Sequence, residues 1–483
     1  MLKKKKSFLI YIVLILGFIF PLSLSQAFAE DHPLKGQKIK MSILGIAGWL
    51  PSRLGVDMSP LFAEYAKEKY GYDVSFSFNE APFSALFQKA ASSLATRSQE
   101  YNIIVSDSQW LGALAKPGWI VNVSDLIKKH PEFDIEWYDE VVMNSYMEFP
   151  ENSKDYWGLP EEADTIALFV RQDMFSNPKE RANFKNKYGV DLPQTFEDWE
   201  KISMTEFEKI AAFFTRPEQD LYGTAMQYSK EYDFMTMYLY PFMFSMGGDI
   251  WEPNERRVYG VLNSDINAQA MVWNKRMLDY QPPGAVNFGI SEEIDAFAQN
   301  KIATAFQWAA LGLAMITDAN KDKVIVVPPP GFKQKDGSLK RLYSIGGQPW
   351  VINAYNDDAH MRVSIDFLKW WYLPGTQLEF AKRGGNPAVK SILNKKGFED
   401  IQPWFRAFKY MLTSKRSRDF WHEPKYSEML SAQQEGFTAF STGQISDPAL
   451  GLEYAACEQQ KILYRARRSK IAPPSSCRSV RLR

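Results

Sequence analysis

Apolar positions change period several times along the chain, and the changes mark the elements. Residues 39–45 form an apolar run of strand length, and 59–70 carry Leu61, Phe62, Tyr65 and Ala66 at helical spacing. Residues 74–78 alternate as a second strand, 83–97 read as a helix, and 101–105 are a short apolar strand running into the polar turn Ser106-Asp107-Ser108-Gln109-Trp110. This β-α-β-α-β order predicts an α/β fold with a largely parallel sheet covered by helices on both faces. In such sheets ligands sit beyond the carboxyl ends of the strands. The turns carrying Gly48-Trp49, Asn79-Glu80 and Asp107 to Trp110 should therefore gather at one edge.

The middle of the chain is helical for longer. Thr195, three residues before Asp198, predicts a capped start for a helix running towards Phe214. Residues 232–246 are rich in Tyr, Phe and Met and stop at Gly247-Gly248-Asp249. Helices over 265–279 and 291–300 precede strands over 303–306 and 323–327, and Pro328-Pro329-Pro330-Gly331 then forces an extended segment. A strand over 342–353 is interrupted by Gly346-Gly347. A helix over 358–372, the break Pro374-Gly375, a further helix to Ala381 and the turn Arg383-Gly384-Gly385-Asn386-Pro387 lead into a helical end that reaches Tyr464.

The first residues have a different logic. Lys3 to Lys6, an apolar run from Phe8 to Phe20 and the small-x-small pattern Ala27-Phe28-Ala29 predict an export signal over 1–29, cut after Ala29. The apolar run is shorter than the roughly 20 residues a span needs, and Pro21 interrupts it. No cysteine near the cut offers a site for a lipid anchor.

The chain holds 57 basic and 57 acidic residues, but the balance comes from its two ends. Residues 30–464 carry 46 bases against 57 acids, a net of −11, while 465–483 hold seven bases and no acid. An acidic body argues against a nucleic-acid surface. The basic tail reads as solvated and disordered. Fourteen Trp and twenty-three Tyr exceed what cores require and suit stacking on ligands. Cys457 and Cys477 are too few for a thiol framework or a thiolate zinc site, and the four histidines are scattered singly. An oxidising compartment permits a bond between the two cysteines without requiring it.

Several short strings then fall in an informative order. They are Tyr156-Trp157-Gly158-Leu159-Pro160, Asp164-Thr165 with the strand that follows, Pro193 to Trp199, Gly247-Gly248, residues 297–303, Val327 to Gly331, and Gly385-Asn386-Pro387. Together, over about residues 38–463, they resemble the extracellular solute-binding proteins of sugar-type ABC importers, whose best-known architecture is that of the maltose-binding protein. The resemblance implies two discontinuous α/β lobes joined by a hinge: lobe I from 30–163 plus 330–373, lobe II from 164–329 plus 374–464. The crossings fall near 162–166, 327–330 and 372–376.

It implies a monomeric, non-enzymatic periplasmic receptor that holds a carbohydrate between the lobes and hands it to a membrane permease, with no cofactor and no metal. The cleft residues it implies are Trp49, Asn79, Glu80, Ser106, Asp107, Gln109, Trp110, Asp164, Asp249, Trp251, Trp308, Arg383 and Asn386. Two alternatives stay open: a polyamine or metal ion in the same fold, or an exported carbohydrate-active enzyme using paired carboxylates, for which Glu161 and Glu162 are the adjacent acids.

Overall fold

The computed structural model describes residues 32–483 except 131, 132, 134, 135, 137 and 152. The expected export signal lies outside the described residues. In chain order the strands are β1 (Lys38–Ile46), β2 (Asp73–Ala81), β3 (Ile103–Val105), β4 (Leu159–Pro160), β5 (Asp164–Arg171), β6 (Thr304–Trp308), β7 (Val324–Val327), β8 (Phe332–Lys333), β9 (Leu339–Lys340), β10 (Tyr343–Gly346), β11 (Pro349–Ile352) and β12 (Ser417–Arg418).

They form two main sheets. The first has the order β2-β1-β3-β11-β4; β1 pairs in parallel with β2 and β3, and β11 runs antiparallel to β3 and β4. The second has the order β12-β10-β5-β6, with β7 also paired to β5. Every residue of β5 is buried, as expected of a strand covered on both faces. Each sheet anchors one lobe. Helix Asp358–Trp371 packs on the first sheet through Phe367, whose ring meets Trp350 of β11 edge-on at 5.5 Å.

Local chemistry sets the helix starts. Thr195 and Asp198 do form a reciprocal capping box, but the helix it opens spans only Phe196–Trp199. A second capping box between Ser203 and Glu206 starts Met204–Phe214. The single helix expected here is two, because Ser203 offers the backbone a fresh N-terminus.

The chain passes between sheets at Glu161-Glu162-Ala163, from β4 to β5, and at Gly346-Gly347-Gln348, from β10 to β11. The two passages are bonded to each other: the Gln348 carbonyl accepts the backbone N–H of Glu161 at 2.8 Å and of Glu162 at 3.3 Å. Gly347 sits at φ +110°, and a Cβ there would lie 3.0 Å from the Asp164 nitrogen. Only glycine takes that backbone conformation without strain. Tyr146 donates its hydroxyl to the Gly346 carbonyl beside it.

These pairings correct the expected second crossing at 327–330. Pro328 to Pro330 are stiff and extended, but they lead into the β8–β9 hairpin. β10, antiparallel to β5, keeps residues 330–346 with the second lobe. After Trp371 the chain leaves the first lobe past Tyr372, whose hydroxyl donates to the Pro160 carbonyl at 2.6 Å.

The basic tail is also corrected. Residues 465–483 lie along helix Pro448–Arg465, held by a disulfide between Cys457 and Cys477. Gln460 donates to the Ile471 carbonyl and Lys461 to the Cys477 carbonyl, each at 2.9 Å. Arg468 pairs with buried Glu423, which also takes Arg256. Anchored side chains and a covalent tie outweigh the repulsion that its composition suggested. No helix among the described residues is long and apolar enough to cross a membrane.

Candidate ligand-binding cleft

The loops after β1 and β3 face the second lobe. After β1, Gly48 turns the chain at φ +74° and Trp49 enters the cleft. Its indole N–H donates to Glu162 Oε1 at 2.9 Å, and its ring meets Phe83 edge-on at 5.5 Å. After β3, Asp107 caps the 3-10 turn Ser108–Trp110, accepting the Gln109 backbone N–H and the Ser108 hydroxyl.

The second lobe answers with a turn at Tyr232-Asp233. Tyr232 donates its hydroxyl to Asp107 Oδ2 at 2.9 Å, and Gln109 donates its side-chain amide to Asp233 Oδ2 at 2.7 Å. Phe83 and Tyr232 stack across the gap at 5.3 Å. Tyr232 holds this place at φ +49°, a left-handed conformation rare for a bulky residue.

Behind these contacts lies a small cavity, walled by Trp49, Phe83, Phe234, Trp308 and the Gly346-Gly347-Gln348 crossing, with Asp107, Asp233 and Asp419 around it. Its volume is about 30 Å³. Trp49, Phe83, Phe234 and Ile290 also line an outer pocket of about 300 Å³ that continues it. Trp308 ends β6 with its ring against Gly346, where a Cβ would lie 2.6 Å from the indole.

Burial pushes the Asp107 carboxyl up to about 6, opposed by the Tyr232 hydroxyl and reinforced by the charge of Asp419. Burial, then the charge of Asp107, carries Asp233 well above the usual carboxylate range. Among the described residues, no lysine, arginine or histidine lines this cavity.

Of the residues expected in the cleft, Trp49, Asp107, Gln109 and Trp308 line the cavity. Ser106 and Trp110 lie just behind it, fully buried; Trp110 supports Tyr232 ring to ring at 6.2 Å. Asn79 and Glu80 do not belong to a turn. β2 continues to Ala81 in register with β1, so Asn79 bonds Ser42 and Glu80 is exposed.

Asp164 and Asn386 belong to the joint rather than the cavity. Asp164 Oδ1 accepts the backbone N–H groups of Thr165 and Ala310 and the Asn386 amide, while Asn386 Oδ1 takes the Trp404 indole. Asp249 is paired with Arg418 at 2.9 Å. Trp251 lines a separate pocket of about 350 Å³ on the other side of Asp419, with Glu140, Lys415 and His422. Arg383 is tied to Glu379 on one exposed helix turn.

Glu161 and Glu162 are buried in the crossing and do not line the cavity, so that pair places no carboxylates there. Among the described residues the one cluster with metal-like spacing is Glu453, Cys457 and Cys477, whose sulfurs are already joined.

Sequence reasoning missed Phe83, Tyr232, Asp233, Gln348 and Asp419. The turn bearing Tyr232 follows residues 222–228, an extended edge beside β6: Tyr222 bridges Ile302, and the Ala225 N–H donates to the Thr304 carbonyl. Its polar Thr224 and Gln227 disguise it as loop. The left-handed Tyr232 leaves no mark in the sequence.

Two α/β lobes joined by paired crossings around an enclosed cleft of rings and oxygens define a two-lobed binding protein. The chain belongs to the bacterial extracellular solute-binding protein family, whose sequence model matches residues 53–378.

Solved structures agree on the fold. A solute-binding protein of an ABC transporter from Agrobacterium radiobacter K84, in complex with ribitol, is 20% identical, covers 89% of this chain and 100% of its own, and superposes with a TM-score of 0.71. The maltose-bound MalE3 of T. maritima is 16% identical over 88% of this chain and 100% of its own, with a TM-score of 0.69. An Agrobacterium vitis S4 solute-binding protein with bound D-mannitol is 14% identical over 89% and 99%, at 0.68. No curated protein matches the chain at a significant level.

Proposed function

We propose that this protein is the substrate-binding receptor of an ABC importer, holding a carbohydrate or polyol between its lobes and delivering it to a membrane permease without altering it. The observation that carries this reading is the pair of contacts from Asp107 to Tyr232 and from Gln109 to Asp233, which join loops of the two lobes over a ring-lined cavity. Sugars and polyols named with the structurally similar proteins support it.

A cavity of about 30 Å³ holds a water, not a sugar. Small-molecule sites occupy roughly 300 Å³ or more, so the conformation described is the shut one, and the lobes part to admit solute. Solute then shifts the balance only by its differential affinity for open and shut forms. Rings stack on the apolar face of the solute while carboxylates and amides take its hydroxyls, each hydrogen bond contributing about 0.5–1.5 kcal/mol net. The protein works as a monomer in the periplasm, after removal of residues 1–29.

Calorimetry against a panel of saccharides and polyols, with spermidine and ferric ion as the competing classes, tests the reading. A saturable heat with a saccharide or polyol, and recovery of that compound unchanged after prolonged incubation, is expected. Binding of spermidine or ferric ion alone would overturn it, as would release of new reducing ends from an oligosaccharide.

A further inference from the structure

The cavity has a surplus of one kind of hydrogen-bonding atom. Its side-chain donors are largely committed within the protein: the Trp49 indole to Glu162, the Ser108 and Tyr232 hydroxyls to Asp107, and the Gln109 amide N–H to Asp233. Among the fully buried side-chain atoms of the lining residues, those left without a partner are acceptors. Gln109 Oε1, Gln348 Oε1 and Asp419 Oδ2 are buried and bonded to nothing in the protein, with Gln109 2% and Gln348 3% exposed.

Charge has the same bias. Asp107, Asp233 and Asp419 border one cavity; His422, which lines the neighbouring pocket, stands 3.6 Å from Asp419 Oδ2 through its Nε2, and no basic residue stands among those that line this cavity. Asp419 Oδ1 is taken by the Phe420 N–H.

A neutral hydroxyl offers one proton and needs acceptance in return. It leaves the buried carboxyls of Asp107 and Asp233 without a counter-charge, and each must then stay protonated or bear the cost of burial. An ammonium group supplies three donors and a positive charge, accepts nothing, and suits a cavity that aromatic residues line, Trp49, Trp308 and Tyr232 among them.

We propose that the solute of this cleft is an amino sugar or amino polyol, its ammonium held among Asp107, Asp233 and Asp419 and its hydroxyls served by the Trp308 indole and the Gln348 amide. This rests on the carbohydrate reading of the cleft and narrows it.

The test is calorimetry on the mature chain with matched sets: D-glucosamine, D-glucose and N-acetyl-D-glucosamine; 1-amino-1-deoxysorbitol and sorbitol; chitosan and cello-oligosaccharides; and spermidine. The amine of at least one set should bind about tenfold or more tighter than its hydroxyl and N-acetyl counterparts, the scale of a charge-assisted contact. Asp233→Asn and, separately, Asp419→Asn should weaken the amine more than its neutral counterparts and so bring that ratio towards one. Using two variants covers the case in which one fails to fold, as judged by near-ultraviolet circular dichroism.

Neutral members binding as well as or better than their amines would overturn the ammonium site and leave the carbohydrate reading standing. Spermidine binding while every sugar and polyol fails would overturn both. Failure of every amino compound at millimolar concentration also overturns the proposal.

Discussion

Tyr232 of the second lobe donates its hydroxyl to Asp107 of the first at 2.9 Å, from a backbone turned into the left-handed region at φ +49°. A bulky residue in that conformation costs of order 1 kcal/mol or more and persists where its surroundings require it. Here the requirement is a contact that joins the two lobes.

Tyr232→Phe keeps the ring against Phe83 and removes the bond. A hydrogen bond to a charged group is worth about 1.5–3 kcal/mol, so the solute-free variant should shift towards the open form by about tenfold or more. Small-angle scattering should show a larger radius of gyration than the parent, with the melting temperature changed little. An unchanged radius would remove the latch role.

Acid should favour the shut form. In the shut form burial lifts the Asp107 carboxyl from the ordinary 3.8 to about 6, so a closure that takes this group out of water takes up a proton. The sign follows by linkage: the contribution is fully present below about pH 4 and is lost as pH rises through about 6. Asp233, lifted further by burial and by Asp107, acts in the same direction. Scattering without solute should report a more compact protein at pH 5 than at pH 8, and Asp107→Asn should reduce the difference.

Neighbouring glycines in the crossing should fail differently when changed to alanine. At Gly347 the new Cβ meets the Asp164 backbone at 3.0 Å and the φ of +110° is strained, so a loss of about 1–3 kcal/mol is expected in thermal or denaturant unfolding. At Gly346 the atoms nearest the new Cβ all belong to the Trp308 ring, the first at 2.6 Å. That ring must move, so solute affinity should fall more than stability does. Equal stability losses would argue against Trp308 as part of the binding wall.

Opening the disulfide should be felt in stability and not in binding. Cys457 and Cys477 close a short loop, their separation being 20 residues, for which chain entropy gives about 3 kcal/mol. Cys477→Ser should lower the unfolding midpoint by an amount of that order and leave solute affinity unchanged.

The first lobe was the more legible. Residues 39–105 alternate strand and helix with clear breaks, so Trp49, Asp107 and Gln109 could be placed at strand ends before any coordinates. Asn79 and Glu80 were misplaced by the same reasoning, because nothing local says that β2 runs three residues further, to Ala81, alongside β1. Asp164 and Asn386 are expected in the cleft, but their neighbours Ala310 and Trp404 are over a hundred and about twenty residues away, and those neighbours make them part of the joint. The second lobe hides its contribution. Its edge at 222–228 has mixed polarity, Asp419 follows a two-residue strand, and Gln348 owes its place to β10 and β11 lying in different sheets, which no local pattern marks.

Gln348 is held between the lobes and also reaches the cavity: its carbonyl ties the two passages together while its side chain lines the cleft. Points close to an axle travel least when a jaw swings. A solute that first lands on Gln348 therefore keeps its position as the walls sweep in around it, and the order of events is set: contact at the pivot first, the outer rings afterwards.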